Sequence, residues 1–360
     1  MSTSNLSLHN LPFLVVSLLL CLAAVWGGLV KMGWALPRAG AALHIEHGPL
    51  MVSGFFGTLI SLERAAALRK PWTYLGPVMT GMGGILTAAG VLEELGAGLL
   101  VVGSAWLVVM FITIVRSHPA TYTVVMGAGA VCLLVGNLLW IAGWPVFKFV
   151  LWWVAFLVLT IAGERLELGR VQKQTSFSTT SFSIITGLYF LGLVVLLLYF
   201  EHGTRMVSAA TVALSAWLWT YDIARRTVKK DGLTRFIALA LLGGYLWLGV
   251  SGLIGVWQGG ISAGPYYDAM LHSALIGFVF AMIFGHAPII FPALLNIPVK
   301  YSPLFYGPLI LLHLSLLLRI SGDFSGLLWA RQWGGMMNAI ALLIYLLLLS
   351  PVLDRWLSKR

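Results

Sequence analysis

The sequence predicts an all-α membrane protein, a polytopic bundle of about 12 transmembrane helices that forms a single membrane domain over residues 1–360. Composition is the first reason, because 59% of the residues are hydrophobic, only 9% are charged, and the mean hydropathy is +0.94. Ordinary soluble domains do not have this composition. Apolar stretches of about 20 residues, the length that a bilayer core requires, also recur along the whole chain.

The apolar stretches are separated by short connections that contain glycine, proline and basic residues. We place the spans at about 11–34, 44–67, 73–92, 95–116, 121–142, 146–163, 182–200, 205–224, 233–257, 267–295, 302–320 and 325–350. No basic residue precedes the first span, since Lys31 is the first in the chain, so that span is predicted to be a retained helix and not a cleaved signal peptide.

The distribution of basic residues predicts the orientation of the chain. The net charge of +10 lies mainly in the short connections, which favours contact with a lipid bilayer and argues against a nucleic-acid partner. Sixteen of the 22 Lys and Arg residues lie on the side of the two termini. Since cytoplasmic connections are enriched in Lys and Arg, both termini are predicted to be cytoplasmic, in a bacterial inner membrane.

Two histidines stand at the start of the second span, in "HIEHGPLM". His44 and His47 are three residues apart and therefore share one helix face, together with Met51. Two interpretations stay open: an interfacial pair that hydrogen-bonds loop carbonyls, or ligands of a metal or haem. The only cysteines, Cys21 and Cys132, fall inside apolar spans and are predicted to be small buried hydrophobic residues.

The tenth span carries His272 and, fourteen residues later, His286. In a continuous α-helix this spacing gives a rise of about 21 Å and an azimuth difference of about 40°, so both rings can face the same way. The pattern predicts a cofactor site near each membrane face. At matching depth, His44 or His47 is the candidate partner of His272, and His313 that of His286.

Other polar residues lie within or beside the spans. Arg331 in the twelfth span is placed near the layer of His272, where its guanidinium could bind haem propionates or extend to the interface. Asp268 and Arg38 are predicted to support the same site from a second layer of contacts. Two asparagines, Asn137 and Asn338, are predicted to form hydrogen bonds between helices.

Four segments resemble the NnrS family: "HIEHGPLMVSGFF", "WWVAFLVL", "GGYLWLGVSGLIG" and "LHSALIGFVFAMIFGH". That resemblance implies a haem- and copper-containing membrane protein linked to the response to nitric oxide, distantly similar to the large subunit of haem–copper oxidases. By position, the residues that match are His44 or His47, His272 and His286. No "HPEVY"-like copper ligand is present, which argues against an oxygen-reducing oxidase.

Three functions follow as expectations. The first is an NnrS-like membrane protein with haem b and copper, a haem-dependent oxidoreductase that handles nitric oxide or another small diatomic ligand. Its electron-transfer partner would be a quinol or a cytochrome. The second is a di-haem b-type electron conduit, and the third is a metal or small-molecule transporter with a His/Met pathway.

Overall fold

The computed structural model describes residues 8–37, 45–171, 175–295 and 299–350. Within those ranges the chain consists of helices and short connections and contains no β-strand, which confirms the all-α class. Ten of the described helices are long and apolar enough to cross a membrane, which indicates an integral membrane protein.

Each predicted span corresponds to one long helix of the described chain. The helices are α1 Leu11–Lys31, α2 His47–Leu68, α3 Leu75–Ala89, α4 Glu93–Ser117, α5 Thr121–Ile141, α6 Val146–Leu168, α7 Ser176–Leu198, α8 Phe200–Tyr221, α9 Gly232–Gln258, α10 Pro265–Leu295, α11 Tyr306–Ser325 and α12 Leu328–Leu349. Two of them, the 15-residue α3 and the less apolar α8, are not among the ten that satisfy the requirements for crossing.

Several helix boundaries differ from the sequence prediction by five or six residues, and two of them have local physical reasons. Helix α7 begins at Ser176, well before the predicted residue 182, because the Thr175 hydroxyl caps it by accepting a hydrogen bond from Ser178 N at 3.1 Å. Helix α6 continues to Leu168, past the predicted end at 163, and therefore carries Arg165 within the helix. The prediction ended the span before Glu164 and Arg165 because both are charged.

Two helices contain π-helical turns. In α2 the π segment is Leu50–Phe56, and in α10 it is Ser273–Phe280. A π segment bonds residue i to i+5, so it takes more residues per turn than an α-helix and often marks a functional position. The side chains that follow it are rotated relative to those that precede it.

The described residues group into two compact units. The first spans Met1–Phe156 with Ala293–Ile297, and the second spans Leu157–Pro292 with Pro298–Arg360, as far as those stretches are described. In the first unit, Asn137 Oδ1 accepts hydrogen bonds from Ser53 Oγ at 2.6 Å and Trp153 Nε1 at 3.0 Å. The side chain thus joins α2, α5 and α6, as predicted for an inter-helix hydrogen bond.

In the second unit, α11 and α12 lie in close contact. Asn338 Nδ2 donates to Ser315 Oγ at 2.6 Å, which confirms the second predicted inter-helix hydrogen bond. Glycine allows the helices to approach: a Cβ at Gly334 would lie 2.5 Å from Arg319 N, and one at Gly322 would lie 2.5 Å from Arg331 N. This close packing positions the two arginines of the candidate site.

Both cysteines belong to the first unit and are buried, Cys21 with 4% of its surface exposed and Cys132 with 0%. Neither forms a disulfide. They are the small buried hydrophobic residues that their apolar surroundings predict.

Candidate functional site

Helix α10 carries a histidine on each side of its π segment, and each ring contacts an arginine that is paired with an aspartate. We call the two groups the His272 cluster and the His286 cluster. Both lie entirely in the second unit. Ionisable residues in membrane-spanning helices are costly, and in such positions they commonly mark ion pathways, proton relays or ligand sites.

In the His272 cluster, Arg319 of α11 forms a two-pronged ion pair with Asp268 of α10. Arg319 Nε donates to Asp268 Oδ2 and NH2 donates to Oδ1, each at 2.8 Å. Such bidentate, charge-assisted pairs are stronger than neutral hydrogen bonds. The Nδ1 of His272 lies 2.9 Å from the Asp268 carbonyl oxygen and 3.2 Å from Asp268 Oδ1, which fits a neutral ring with its proton on Nδ1. Arg319 NH2 lies 3.3 Å from both ring nitrogens, so the guanidinium lies against the ring and neither nitrogen alone is its acceptor.

Two further charged residues complete the His272 cluster. Arg331 of α12 places NH2 3.6 Å from Asp268 Oδ1 and Nε 3.1 Å from Asp323 Oδ1. The Asp323 side chain is fully buried, yet neither carboxylate oxygen has a hydrogen bond of good geometry within the described chain. Two arginines face two aspartates, so the formal charges balance when His272 is neutral.

The structure brings the predicted residues Arg331, Asp268 and His272 together. Arg319 and Asp323 were not predicted as site residues, because Arg319 stands at the predicted end of the eleventh span and Asp323 in the connection after it. The signal was nevertheless in "LLLRISGDF": the two are four residues apart on α11, so they share a face, and apolar residues precede them.

The His286 cluster repeats the arrangement with other helices. Arg165 of α6 donates from Nε to Asp222 Oδ2 at 2.8 Å and from NH1 to His286 Nε2 at 3.2 Å. His286 Nδ1 lies 2.8 Å from the Met282 carbonyl oxygen, and Asp222 Oδ1 accepts the backbone N–H of Ala224 at 2.7 Å. The Arg165 and Asp222 side chains are 4% and 0% exposed, so this ion pair is secluded from solvent.

The two imidazoles do not share the stripe that the sequence suggested, since that expectation required a continuous α-helix. The π segment Ser273–Phe280 adds about one residue to the turn count and so shifts the following side chains by about 100°. His286 is thereby moved from about 40° to about 140° away from His272. The two rings therefore contact arginines of different helices: His272 contacts Arg319 of α11, and His286 contacts Arg165 of α6.

A family model described as "Domain of unknown function (DUF8744)" matches residues 10–352. The chain belongs to this family. No curated protein and no solved structure matches it. The matched range of the DUF8744 chain includes every residue of both clusters, so these charged groups lie within the family domain and not in an appended segment.

The other predicted histidines of the DUF8744 protein have separate surroundings. His313 Nδ1 accepts a hydrogen bond from Trp247 Nε1 at 3.0 Å, which leaves the ring proton on Nε2, and no hydrogen bond links it to His286 among the described residues. In the first unit, His47 Nδ1 lies 2.6 Å from the Ala24 carbonyl oxygen. His44 and Arg38 lie outside the described residues.

A glycine provides the space for His313, which gives a test of this packing. A Cβ at Gly243 would lie 2.8 Å from His313 Nε2, so Gly243→Ala is expected to lower the free energy of unfolding by about 1–3 kcal/mol. Gly187 of α7 is the control, because nothing lies within 4 Å of its Cβ position. Thermal unfolding of the detergent-purified variants checks this, and equal shifts for both would contradict the packing described.

The histidines fit the haem implied by the NnrS resemblance in one respect. In His47, His272 and His286 alike, Nδ1 faces a backbone carbonyl oxygen and Nε2 points away from it, the orientation that an imidazole ligand needs. In both clusters, however, Nε2 contacts a guanidinium. No group of three potential metal-binding side chains occurs in the described ranges. A haem in this protein stays a prediction.

Proposed function

We propose that this DUF8744 protein is a proton-coupled membrane protein, whose second unit takes up and releases protons at the His272 and His286 clusters. One observation carries the proposal: on each side of the π segment of α10, an imidazole contacts a guanidinium that is itself paired with an aspartate. Histidine is the side chain that ordinarily changes charge between about pH 5 and 8.

The charge balance of each cluster supports this role. An isolated arginine beside a histidine would oppose the arrival of a proton on the ring. Here the aspartate neutralises the guanidinium, and in the His272 cluster the Asp268 carboxylate also lies 3.2 Å from the ring Nδ1. A proton that binds Nε2 of His286 would displace the Arg165 N–H that now faces it, and Asp222 would keep the displaced guanidinium paired. An ion pair that only joins two helices does not require a histidine beside it, so the histidine in each cluster favours a role in proton binding.

Proton flux into liposomes tests the proposal. Purified protein would be reconstituted around an entrapped pH-sensitive dye, with an imposed pH gradient and valinomycin to collapse the electrical potential. We expect flux above protein-free liposomes, reduced to that background in His272→Gln and His286→Gln. His202→Gln is the matched control, because His202 is exposed on α8 of the same unit. Wild-type flux equal to protein-free liposomes would overturn the proposal.

A second candidate function is favoured by the imidazole orientation and by the NnrS resemblance. In it, the protein is a haem-bearing oxidoreductase that handles nitric oxide or another diatomic ligand, with copper as a second metal and a quinol or cytochrome as redox partner. His272 would hold haem b, Arg319 and Arg331 would bind its propionates, and His286 would hold the second metal. Bound haem would supply electron transfer and a site for the diatomic ligand. We also propose that the protein lies in a bacterial inner membrane with both termini in the cytoplasm, as the distribution of basic residues predicts.

The absorption spectrum separates the two candidates. Detergent-purified protein would be measured oxidised and dithionite-reduced, with metal analysis of the same sample. The haem candidate predicts a Soret band that is lost in His272→Ala and kept in His202→Ala, and two haems per chain would favour the di-haem conduit. A colourless preparation, made with haem supplied, would reject the haem candidate and leave the proton proposal standing.

A further inference from the structure

A cavity of about 680 Å³ lies in the first unit, where several helix ends come together. It lies beside the start of α1, the end of α2 and the short helix Pro71–Tyr74. Its lining residues are His9, Asn10, Phe13, Ala66, Arg69, Lys70, Pro71, Tyr74 and Ala293. Because the ends of membrane-spanning helices lie at the lipid headgroup level, the cavity is expected at a membrane interface.

One wall of the cavity is fixed by a chain of hydrogen bonds. The Tyr74 hydroxyl donates to Asn10 Oδ1 at 3.0 Å, and Asn10 Nδ2 donates to the Leu294 carbonyl oxygen at 2.9 Å. His9 Nε2 lies 3.1 Å from the same hydroxyl and donates to it. Asn10 is only 3% exposed, and burial raises the pKa of Tyr74, so the Tyr74 hydroxyl keeps its proton and remains a donor at neutral pH.

The cavity has an excess of positive charge. Arg69 and Lys70 line it with exposed side chains, and none of the described residues that line it is acidic. Arg69 also has φ 53° and ψ 34°, a left-handed backbone conformation that is costly for residues other than glycine. Glycine is the usual residue at this position after a helix, so an arginine here places a cation at the cavity despite that cost.

We propose that this cavity binds the phosphate group of an anionic phospholipid. Arg69 and Lys70 hold the phosphate by charge-assisted hydrogen bonds, and Phe13, Ala66 and Pro71 contact the glycerol and the first methylenes. A quinone head group fits less well, because it is neutral and would leave both cations without a counter-charge. The site lies in the other unit from the histidine clusters, so the inference is independent of the proposed function.

Thermal unfolding of the full chain in a neutral detergent tests the inference with defined probes. Dioctanoyl phosphatidylglycerol is expected to raise the unfolding midpoint, while dioctanoyl phosphatidylcholine and inorganic phosphate do not. In the double variant Arg69→Gly and Lys70→Gln the apparent affinity for phosphatidylglycerol should fall about 30-fold. Glycine suits the backbone of residue 69, so this variant should remain folded.

The matched control removes two charges elsewhere. Lys229→Gln with Lys230→Gln changes two exposed residues of the second unit and should keep the full response to phosphatidylglycerol. A midpoint shift that survives in the cavity variant would overturn the assignment of the site. An equal shift with inorganic phosphate would identify a free-phosphate site, and an equal shift with phosphatidylcholine would indicate general solvation by lipid. A shift with decylubiquinone alone would identify a quinone site. Each of these three results contradicts the proposal.

Discussion

Asp222→Asn is expected to lower the free energy of unfolding by about 3–5 kcal/mol, because it leaves the guanidinium of Arg165 buried without its counter-charge. The pair is almost completely secluded, with Arg165 4% and Asp222 0% exposed and a nitrogen–oxygen distance of 2.8 Å. Asparagine keeps the shape and one acceptor oxygen, but its NH2 group faces either Arg165 or the Ala224 N–H, so the loss includes one hydrogen bond as well as the charge. Denaturant unfolding in detergent, followed by tryptophan fluorescence, measures it.

Two comparisons make this prediction specific. The double variant Arg165→Met with Asp222→Leu removes both charges and should recover most of the lost stability, because it also removes their desolvation cost. Glu167→Gln breaks the exposed pair with Arg170, whose side chains are 36% and 59% exposed, and should cost about 0–1 kcal/mol. A loss for Asp222→Asn no greater than that for Glu167→Gln would contradict the buried pairing.

Asp268→Asn is the second substitution with a large expected effect, a loss of about 3 kcal/mol or more. Its carboxylate accepts two hydrogen bonds from Arg319 and lies 3.6 Å from Arg331 NH2, so both arginines lose charge compensation. Asp323 remains beside Arg331 at 3.1 Å and retains part of the balance.

Asp323→Asn is expected to cost less than Asp268→Asn, because the Asp323 oxygens form no hydrogen bond of good geometry within the described chain. Asp231→Asn is the control for removing a negative charge, since Asp231 is exposed before α9. The same unfolding measurement applies. The reverse order of losses at Asp268 and Asp323 would show that the Arg319 pair is not the main contact of this cluster.

The helices could be predicted from the sequence because the bilayer imposes a simple rule: apolar stretches of about 20 residues become helices. Each of the long described helices corresponds to one such stretch. The end of α6 was missed because Glu164 and Arg165 interrupt the apolar pattern. Arg165 is nevertheless buried, because it forms an ion pair with Asp222. Hydropathy records the cost of a charge and contains no information about a compensating charge elsewhere in the chain.

The site was only partly predictable for the same reason. Arg165 and Asp222 are 57 residues apart, and Arg319 and Asp268 are 51 apart, so their pairing depends on which helices become neighbours. Local spacing identified His272, Asp268 and the neighbouring Arg331, which all interrupt apolar sequence. The π segment of α10 has no equally clear signal in the hydrophobic pattern, and it changed the relative direction of the two imidazoles.

The location of both cysteines in the first unit provides a reporter that distinguishes the two halves of the chain. Cys21 and Cys132 are buried, so a thiol-reactive dye should label the protein only when the first unit opens. Tryptophans occur in both units and report on both. A substitution such as Asp222→Asn that destabilises the second unit alone would lower the fluorescence midpoint without changing the thiol-labelling midpoint. Coincident shifts would instead reveal that the two halves unfold as one cooperative whole.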